Sequence, residues 1–124
     1  MTTVGAPPVR VLVVDDHEDS RELLSSLLEL RGFAVKSACD ATEALAVAAA
    51  FRPMVAVLDI GLPGTNGYEV ARRLRSMPEL GAIRIVALSG YGNASDRQKS
   101  LEAGIDAHLV KPTDVAVLIR HFAR

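Results

Sequence analysis

The sequence contains no tryptophan, only five other aromatic residues and a single cysteine among 124 residues. Because Cys39 is the only cysteine, no disulfide can form within the chain. No apolar segment reaches the roughly 20 residues of a membrane span, and the N-terminus lacks the basic and apolar pattern of a signal peptide. The net charge of −1 lacks the basic bias of nucleic-acid or membrane-surface binders. We therefore expect a cytoplasmic protein with neither nucleic acid nor membrane among its partners.

Hydrophobic residues make up 49% of the chain and charged residues 23%, which is an ordinary globular composition. A chain of this length suits one domain with a core of its own. Residues 1–8 carry two prolines and no periodicity, so they are expected to form a disordered lead-in. Residues 9–124 contain no linker and are expected to form a single domain.

Short apolar runs alternate with segments of helical periodicity five times along the chain. The predicted strands are Val9–Val14, Phe33–Ala38, Met54–Asp59, Ile83–Leu88 and His108–Val110. The predicted helices are Glu18–Arg31, a segment from Asp40 to just before Pro53, one from Asn66 to just before Pro78, one from Asn93 or Ser95 to Glu102, and a last one that Thr113 caps. This alternation predicts an α/β fold, a parallel sheet with helices on both faces.

Polar side chains stand at the carboxyl ends of these strands, which share one rim in a parallel sheet. They are Asp15 and Asp16, Asp59, Ser89, and Lys111. Taken singly, each has an ordinary interpretation: a helix cap for the aspartate pair, a turn for Asp59 or Ser89, and a solvated lysine. Together they predict a site, with Asp59 as its reactive residue.

Three clustered carboxylates repel one another. For each pair of charges about 4 Å apart, the repulsion is about 4 kcal/mol at an effective dielectric near 20. Mg²⁺ suits such a site, because it takes hard oxygen ligands and favours sites where a phosphate completes its coordination. Lys111 adds a positive charge for a phosphoryl group, and Asp59 is then a plausible nucleophile toward phosphorus. Ser89 could turn its hydroxyl onto the new phosphate and carry a conformational signal.

The amino-acid sequences at these strand ends resemble those of the receiver domain of two-component response regulators. The segments that carry the resemblance are Val11–Asp16 (VLVVDD), Val57–Gly67 (VLDIGLPGTNG), Val86–Gly90 (VALSG) and His108–Pro112 (HLVKP). They cover nearly the whole chain and agree with the family in type and order. The resemblance implies a flavodoxin-like, doubly wound (βα)5 sheet with strand order 2-1-3-4-5.

The resemblance also implies the chemistry of the site. It implies an acyl phosphate on Asp59, formed and hydrolysed by the domain itself, which is otherwise not an enzyme. Mg²⁺ would be held by Asp16, Asp59 and the main-chain carbonyl of Gly61, with Asp15 acting partly through water. Lys111 would bind the phosphate and precede Pro112 with a cis peptide bond.

The implied partners are proteins. The phosphoryl donor would be a phosphohistidine on a sensor histidine kinase or a histidine phosphotransfer protein, docking near the first helix. The signal would pass by contact to an unknown downstream protein, because no DNA-binding or catalytic segment follows the last helix. A weak homodimer through the last two helices is a further expectation. The sequence fits a stand-alone receiver or the receiver of a hybrid histidine kinase.

Two positions depart from the family pattern. His108 stands where the family usually has Tyr or Phe, whose ring moves inward as Ser89 engages the phosphate. The histidine either keeps this switching role, with a charge that makes it pH-sensitive, or is a partly exposed residue without it. Gly61 puts no side chain over the phosphorylation site, and Tyr91 is the residue that could shield it from the other side.

Other function classes fit the sequence less well. A haloacid-dehalogenase-like phosphatase needs a second acid two residues after its nucleophile, where this chain has Gly61. A flavodoxin-like cofactor site needs a Ser/Thr/Gly-rich loop after the first strand, where this chain is acidic. A dinucleotide binder needs a G-x-G-x-x-G turn, which is absent. A receiver-like scaffold that never takes phosphate is disfavoured, because no acid, hydroxyl or lysine of the pattern is missing.

Overall fold

The computed structural model of the chain describes residues 7–60, 67–90 and 94–123, with the backbone alone for 94–97. Strands and helices alternate through these ranges. The strands are β1 (Arg10–Val14), β2 (Ala34–Ala38), β3 (Val55–Asp59), β4 (Arg84–Ser89) and β5 (Ala107–Val110). The helices are α1 (Glu18–Leu30), α2 (Ala41–Phe51), α3 (Gly67–Arg75), α4 (Ala94–Glu102) and α5 (Val115–Arg120), with a 3-10 turn at Pro78–Leu80.

The five strands form one parallel sheet in the order β2-β1-β3-β4-β5. This order confirms the flavodoxin-like, doubly wound arrangement expected from the sequence. The strand β3 lies at the centre, and all five of its residues are buried. An unbroken apolar run is what a central strand requires, because helices cover both of its faces.

Alternate residues of β1, β3 and β4 enter two separate cores, one on each face of the sheet. In β1, Val11 and Val13 pack with Leu28 of α1 and Leu118 of α5. The intervening Leu12 and Val14 belong to the core that contains α2 and α3 residues. Helices therefore cover both faces. Among the helices of the described ranges, none has the length and apolar content that crossing a bilayer requires.

Asp40 caps α2 as its spacing to Glu43 predicts. Its Oδ1 accepts a hydrogen bond from the backbone N–H of Glu43 at 2.8 Å. The Glu43 side chain in turn accepts one from the backbone N–H of Cys39 at 2.9 Å. The second predicted capping residue of this kind, Asn66, lies outside the described residues, as does Asn93.

The expected cap of the last helix was wrong by one residue. Asp114 caps α5, with its Oδ1 accepting from the backbone N–H of Ala116 at 2.8 Å. Thr113 is turned back instead, and its Oγ1 donates to the carbonyl oxygen of Val110 at 2.9 Å. The hydroxyl therefore stabilises the end of β5, and the adjacent carboxylate takes the helix terminus.

A polar network joins the amino ends of β4 and β5, at the edge of the sheet opposite the predicted site. Asp106 accepts from the backbone N–H of Ile85 at 2.8 Å and from Arg75 at 2.9 Å. Arg75 also donates to the carbonyl oxygens of Ile83 and Gly104, both at 2.6 Å. This network ties the end of α3 to two strands.

Candidate functional site

The structure brings the predicted strand-end residues to one edge of the sheet. Asp59 is the last residue of β3, Ser89 is the last residue of β4, and Asp15 and Lys111 directly follow β1 and β5. Three backbone hydrogen bonds extend the sheet pairing past the strands: Asp15 to Ala38 (3.1 Å), Ile60 to Leu88 (3.0 Å) and Lys111 to Ser89 (2.8 Å). The backbone of this edge is therefore held by the sheet itself.

Asp59 and Lys111 form an ion pair at the centre of this edge. The Asp59 side chain is only 3% exposed, and Lys111 Nζ donates to its Oδ2. The Lys111 side chain is 37% exposed, so it reaches in from the surface to a buried carboxylate. A buried carboxylate requires such compensation, because removing a charge from water is unfavourable.

Asp15 is buried next to this pair, at 7% exposure. Its burial raises its pKa, and the negative charges of Asp59 and Asp16 raise it further. A hydrogen bond from the backbone N–H of His17 at 2.9 Å and the charge of Lys111 oppose this rise without cancelling it. Burial is the larger cause of the raised pKa. Among the described residues, the charged groups that act on Asp15 are nevertheless two carboxylates and one lysine, so negative charge is in excess here and a cation would relieve it.

The donors at this edge suit a hard divalent cation, because they are carboxylate oxygens in a region of excess negative charge. Asp16 is exposed, directly after the buried Asp15. Within the described ranges, no group of three or more His, Cys, Asp and Glu side chains is arranged to hold a metal ion. This is compatible with the ligand set implied by the family resemblance. That set takes its third direct protein ligand from the backbone of Gly61, which lies outside the described residues.

Two contacts at the start of α1, which the sequence did not reveal, fix the turn that carries Asp15 and Asp16. His17 caps α1, and its Nδ1 accepts from the backbone N–H of Ser20 at 3.3 Å. Arg21 reaches back past the start of α1 and donates to the carbonyl oxygen of Asp15, six residues earlier, at 2.9 Å. Histidine is not a favoured cap, and an arginine inside a helix carries no positional signal, so sequence patterns could not have identified either residue.

His108 lies between two hydroxyl groups. Its Nε2 is 2.7 Å from the Oγ of Ser89, and its Nδ1 is 2.8 Å from the Oγ of Ser100. Both serines are buried, at 2% and 3% exposure. The ring is therefore in direct contact with the predicted switch serine. It also connects this serine to α4, through a residue that sequence analysis did not single out.

Gly67, the first residue of α3, packs against the residue that follows Asp59. A Cβ atom at Gly67 would lie 2.1 Å from Cγ2 of Ile60, far inside van der Waals contact. The glycine therefore lets the start of α3 approach the end of β3. The Lys111–Pro112 peptide bond at the same edge is cis. Gly61 and Tyr91 lie outside the described residues.

An open cleft of about 570 Å³ lies beside the site, between α1 and the segment that joins β5 to α5. Its floor includes Asp15 and Lys111. Its walls are mostly apolar side chains: Leu23, Leu24, Leu27, Leu88, Pro112 and Val115. Leu23 is 63% exposed, so it presents apolar surface to solvent beside the site.

Comparisons with known proteins agree with this geometry. The family model of the response regulator receiver domain matches residues 11–123. An uncharacterized 14.6 kDa protein of Leptolyngbya boryana is 38% identical over 110 residues, covering 89% of this chain and 84% of that protein. The transcriptional regulatory protein PrrA of Mycobacterium leprae is 42% identical, covering 95% of this chain and 49% of PrrA. The chain thus spans about half the length of such regulators.

Solved structures give the same result. The chemotaxis protein CheY4 of Vibrio cholerae superposes with a TM-score of 0.85 at 29% identity, covering 91% of this chain and 94% of CheY4. A Burkholderia pseudomallei response regulator, determined with a phosphorylated aspartic acid, a calcium ion and citrate, also has a TM-score of 0.85 at 29% identity. That match covers 93% of this chain and 66% of that one. The chain belongs to the response regulator receiver domain family.

Proposed function

We propose that this receiver domain is a signalling switch that accepts a phosphoryl group on Asp59 from a phosphohistidine. An oxygen of the Asp59 carboxylate attacks the phosphorus atom. The bond between phosphorus and the imidazole nitrogen of the donor then breaks, and its electrons stay with that nitrogen. The donor is a sensor histidine kinase or a histidine phosphotransfer protein. The domain catalyses its own phosphorylation and dephosphorylation and no other reaction.

The observation that carries this proposal is the pairing of the buried Asp59 with Lys111 Nζ at the strand-end edge. A lysine that already lies on the carboxylate can also contact a phosphoryl group attached there. It would offset the charge that develops on the transferring oxygens. Ser89, buried at the adjacent strand end, is the hydroxyl that we assign to the attached phosphate.

We assign Mg²⁺ as the cofactor, with Asp16, Asp59 and the carbonyl of Gly61 as direct ligands and Asp15 acting partly through water. Receiver domains bind a divalent metal at the phosphorylation site. Bound Mg²⁺ would supply charge stabilisation to the phosphoryl oxygens. The excess of carboxylates over cations around Asp15 supports this assignment. A Mg²⁺ titration followed by NMR should show saturable binding that Asp16→Ala weakens at least about tenfold, because mutation even of the outer-shell partners of a metal site typically costs about 10- to 100-fold in affinity. Equal affinity of the variant and the wild type would contradict the ligand set.

The phosphoacceptor assignment is tested with a small-molecule phosphoryl donor, such as acetyl phosphate, and Mg²⁺. Intact-protein mass spectrometry should show one added phosphate on the wild type and none on Asp59→Asn. Asp114→Asn is the matched control, because Asp114 lies off the site and asparagine caps helices as well as aspartate does. If the wild type stays unmodified while a verified receiver reacts beside it, the chain is a scaffold rather than a phosphoacceptor.

We place the donor protein in the cleft between α1 and the β5–α5 segment. The cleft opens onto Asp15 and Lys111, so a helix docked on its apolar walls could present a phosphohistidine to Asp59. Leu23→Asp should slow transfer from a phosphohistidine protein at least about tenfold, as the loss of an interface hot spot does. It should leave the reaction with the small donor unchanged.

Leu30→Asp is the matched control for this docking surface. Leu30 is also on α1 and is 82% exposed, but it does not line the cleft. Equal effects of the two substitutions on protein-to-protein transfer would place the donor elsewhere. Loss of the small-donor reaction in Leu23→Asp would show damage to the site itself.

We also propose that the signal leaves by protein contact, with weak self-association through α4 and α5 as one route. Leu101 on α4 is 71% exposed and Val117 on α5 is 38% exposed, which gives this side apolar surface. Sedimentation velocity over a range of concentrations should show association that phosphorylation strengthens and Val117→Glu weakens. Identical sedimentation at all concentrations, with and without phosphorylation, would rule out the homodimer.

A further inference from the structure

The hydrogen bonds around His108 determine which ring nitrogen carries its proton. Neutral imidazole has one donor nitrogen and one acceptor nitrogen. The ring contacts two hydroxyls, Ser89 Oγ at Nε2 and Ser100 Oγ at Nδ1. One hydroxyl must therefore donate to the ring, and the other must accept from it.

Ser100 decides between the two arrangements. Its side chain is buried at 3% exposure, and its Oγ makes a single hydrogen bond within the described residues, the one to His108 Nδ1. If Nδ1 carried the proton, the Ser100 hydroxyl would accept from it, and its own buried proton would have no acceptor. Leaving a buried donor unsatisfied is unfavourable, so Ser100 donates to Nδ1. The proton of the neutral ring is then on Nε2.

We propose that Ser100 is a positioning residue that fixes His108 as the Nε2–H tautomer and thereby sets the direction of the Ser89 hydroxyl. With Nε2 as donor, Ser89 Oγ accepts from the ring, so Nε2 does not take up the Ser89 proton, and that proton can turn toward a phosphoryl oxygen on Asp59. In the opposite tautomer, Ser89 would use that proton on Nε2. The last step, toward the phosphoryl group, rests on the proposed function of Asp59.

The resulting chain of donors runs from α4 to the phosphorylation site: Ser100 to His108, His108 to Ser89, and Ser89 to the phosphoryl group. Hydrogen bonds that point in one direction polarise one another, so charge at one end strengthens the bond at the other. A phosphoryl group on Asp59 should therefore strengthen the bond that holds Ser100 of α4. By the same linkage, a partner that disturbs Ser100 should weaken the contact of Ser89 with the phosphoryl group.

A direct test is the tautomer of His108 in the unphosphorylated wild type. Long-range proton–nitrogen NMR correlations on the full chain, at a pH above the ordinary range of histidine titration, distinguish the protonated from the unprotonated ring nitrogen. We expect the proton on Nε2. A proton on Nδ1 would overturn the proposal. This measurement needs no phosphorylation and no variant.

Variants then test the role of Ser100 in the reaction. Ser100→Ala should shift the His108 tautomer toward Nδ1–H and slow phosphorylation by a small-molecule donor roughly 2- to 10-fold, the range of one neutral hydrogen bond. Ser100→Thr, which keeps the hydroxyl, should retain the tautomer and most of the rate. Ser26→Ala, at an exposed serine of α1, is the matched control and should change neither.

The outcomes separate this proposal from the proposed function. A Ser100→Ala variant with the wild-type tautomer and rate would overturn the role of Ser100 while leaving Asp59 as phosphoacceptor. A wild type with the Nε2–H tautomer that takes no phosphate would contradict the proposed function, while the tautomer assignment would stand. If Ser100→Ala does not fold, the wild-type spectrum alone decides the tautomer.

Discussion

Replacing Lys111 with methionine should destabilise the protein, whereas replacing Asp59 with asparagine should not. Lys111→Met largely keeps the length of the side chain but removes the positive charge that Lys111 places on the Asp59 carboxylate, which is 3% exposed. Breaking a buried ion pair costs about 3–5 kcal/mol. Because the Lys111 side chain is 37% exposed, water already screens part of the attraction, and we expect a loss of about 2 kcal/mol.

Asp59→Asn has the opposite electrostatic consequence. It leaves Lys111, which water can solvate, and it removes one of the charges that raise the pKa of Asp15. We therefore expect a free energy of unfolding equal to that of the wild type within about 1 kcal/mol, or above it. The double variant should regain most of what Lys111→Met loses, because no uncompensated buried carboxylate remains at position 59.

Urea unfolding at neutral pH without Mg²⁺, followed by circular dichroism, measures these differences. Equal slopes of free energy against urea concentration would show that the unfolded states are comparable. Two results would refute the reasoning. One is a Lys111→Met variant as stable as the wild type, and the other is an Asp59→Asn variant that loses as much stability as Lys111→Met.

Two further predictions concern stability. Gly67→Ala should lower the free energy of unfolding by about 1–3 kcal/mol, because its Cβ would overlap Ile60, whereas Gly90→Ala, which meets open space, should have little effect. Equal losses in urea unfolding would contradict the overlap. Burial raises the pKa of Asp106, but hydrogen bonds and the charges of two arginines outweigh it and lower the pKa. The stability that the ionised carboxylate contributes is present above its ordinary pKa and is lost as pH falls through the lowered value. Asp106→Asn should therefore be less stable at neutral pH, with a difference that shrinks in acid, and a difference independent of pH would argue against it.

The sheet was the most predictable part of the molecule. A central strand must be apolar on both faces, and the run from Val55 to Leu58 meets this requirement, because it is short, rich in valine and followed by a turn sequence that contains Gly and Pro. The edge that gathers Asp15, Asp59, Ser89 and Lys111 follows from parallel pairing, because parallel strands end on the same side.

Local signals were weaker where two residues competed for one role. Thr113 and Asp114 are adjacent, and both residue types cap helices. Only the position of the Val110 carbonyl, which Thr113 contacts, decides that Asp114 takes the cap. The turn at Pro78–Leu80 was also missed. A proline predicts the end of the preceding helix, but the turn that follows it places Leu80 in the core, and that contact depends on tertiary structure.

The contacts that adjust the site depend on tertiary structure and were beyond sequence patterns. Ser100 resembles any polar residue of a surface helix, and its burial against His108 follows from how α4 packs on β5. Arg21 acts through a backbone carbonyl, an acceptor that every residue carries. Such contacts leave no periodicity or spacing by which a sequence would reveal them.

The three backbone hydrogen bonds that continue the sheet beyond its strands have a consequence for motion. They make the amides of Asp15, Ile60 and Lys111 part of the sheet, so these amides should exchange with solvent as slowly as those of the strands. The frame of the site then cannot shift without opening the sheet. If Asp59 takes a phosphoryl group as proposed, we therefore expect the response at this edge to begin with side-chain rotation, on a backbone that stays fixed.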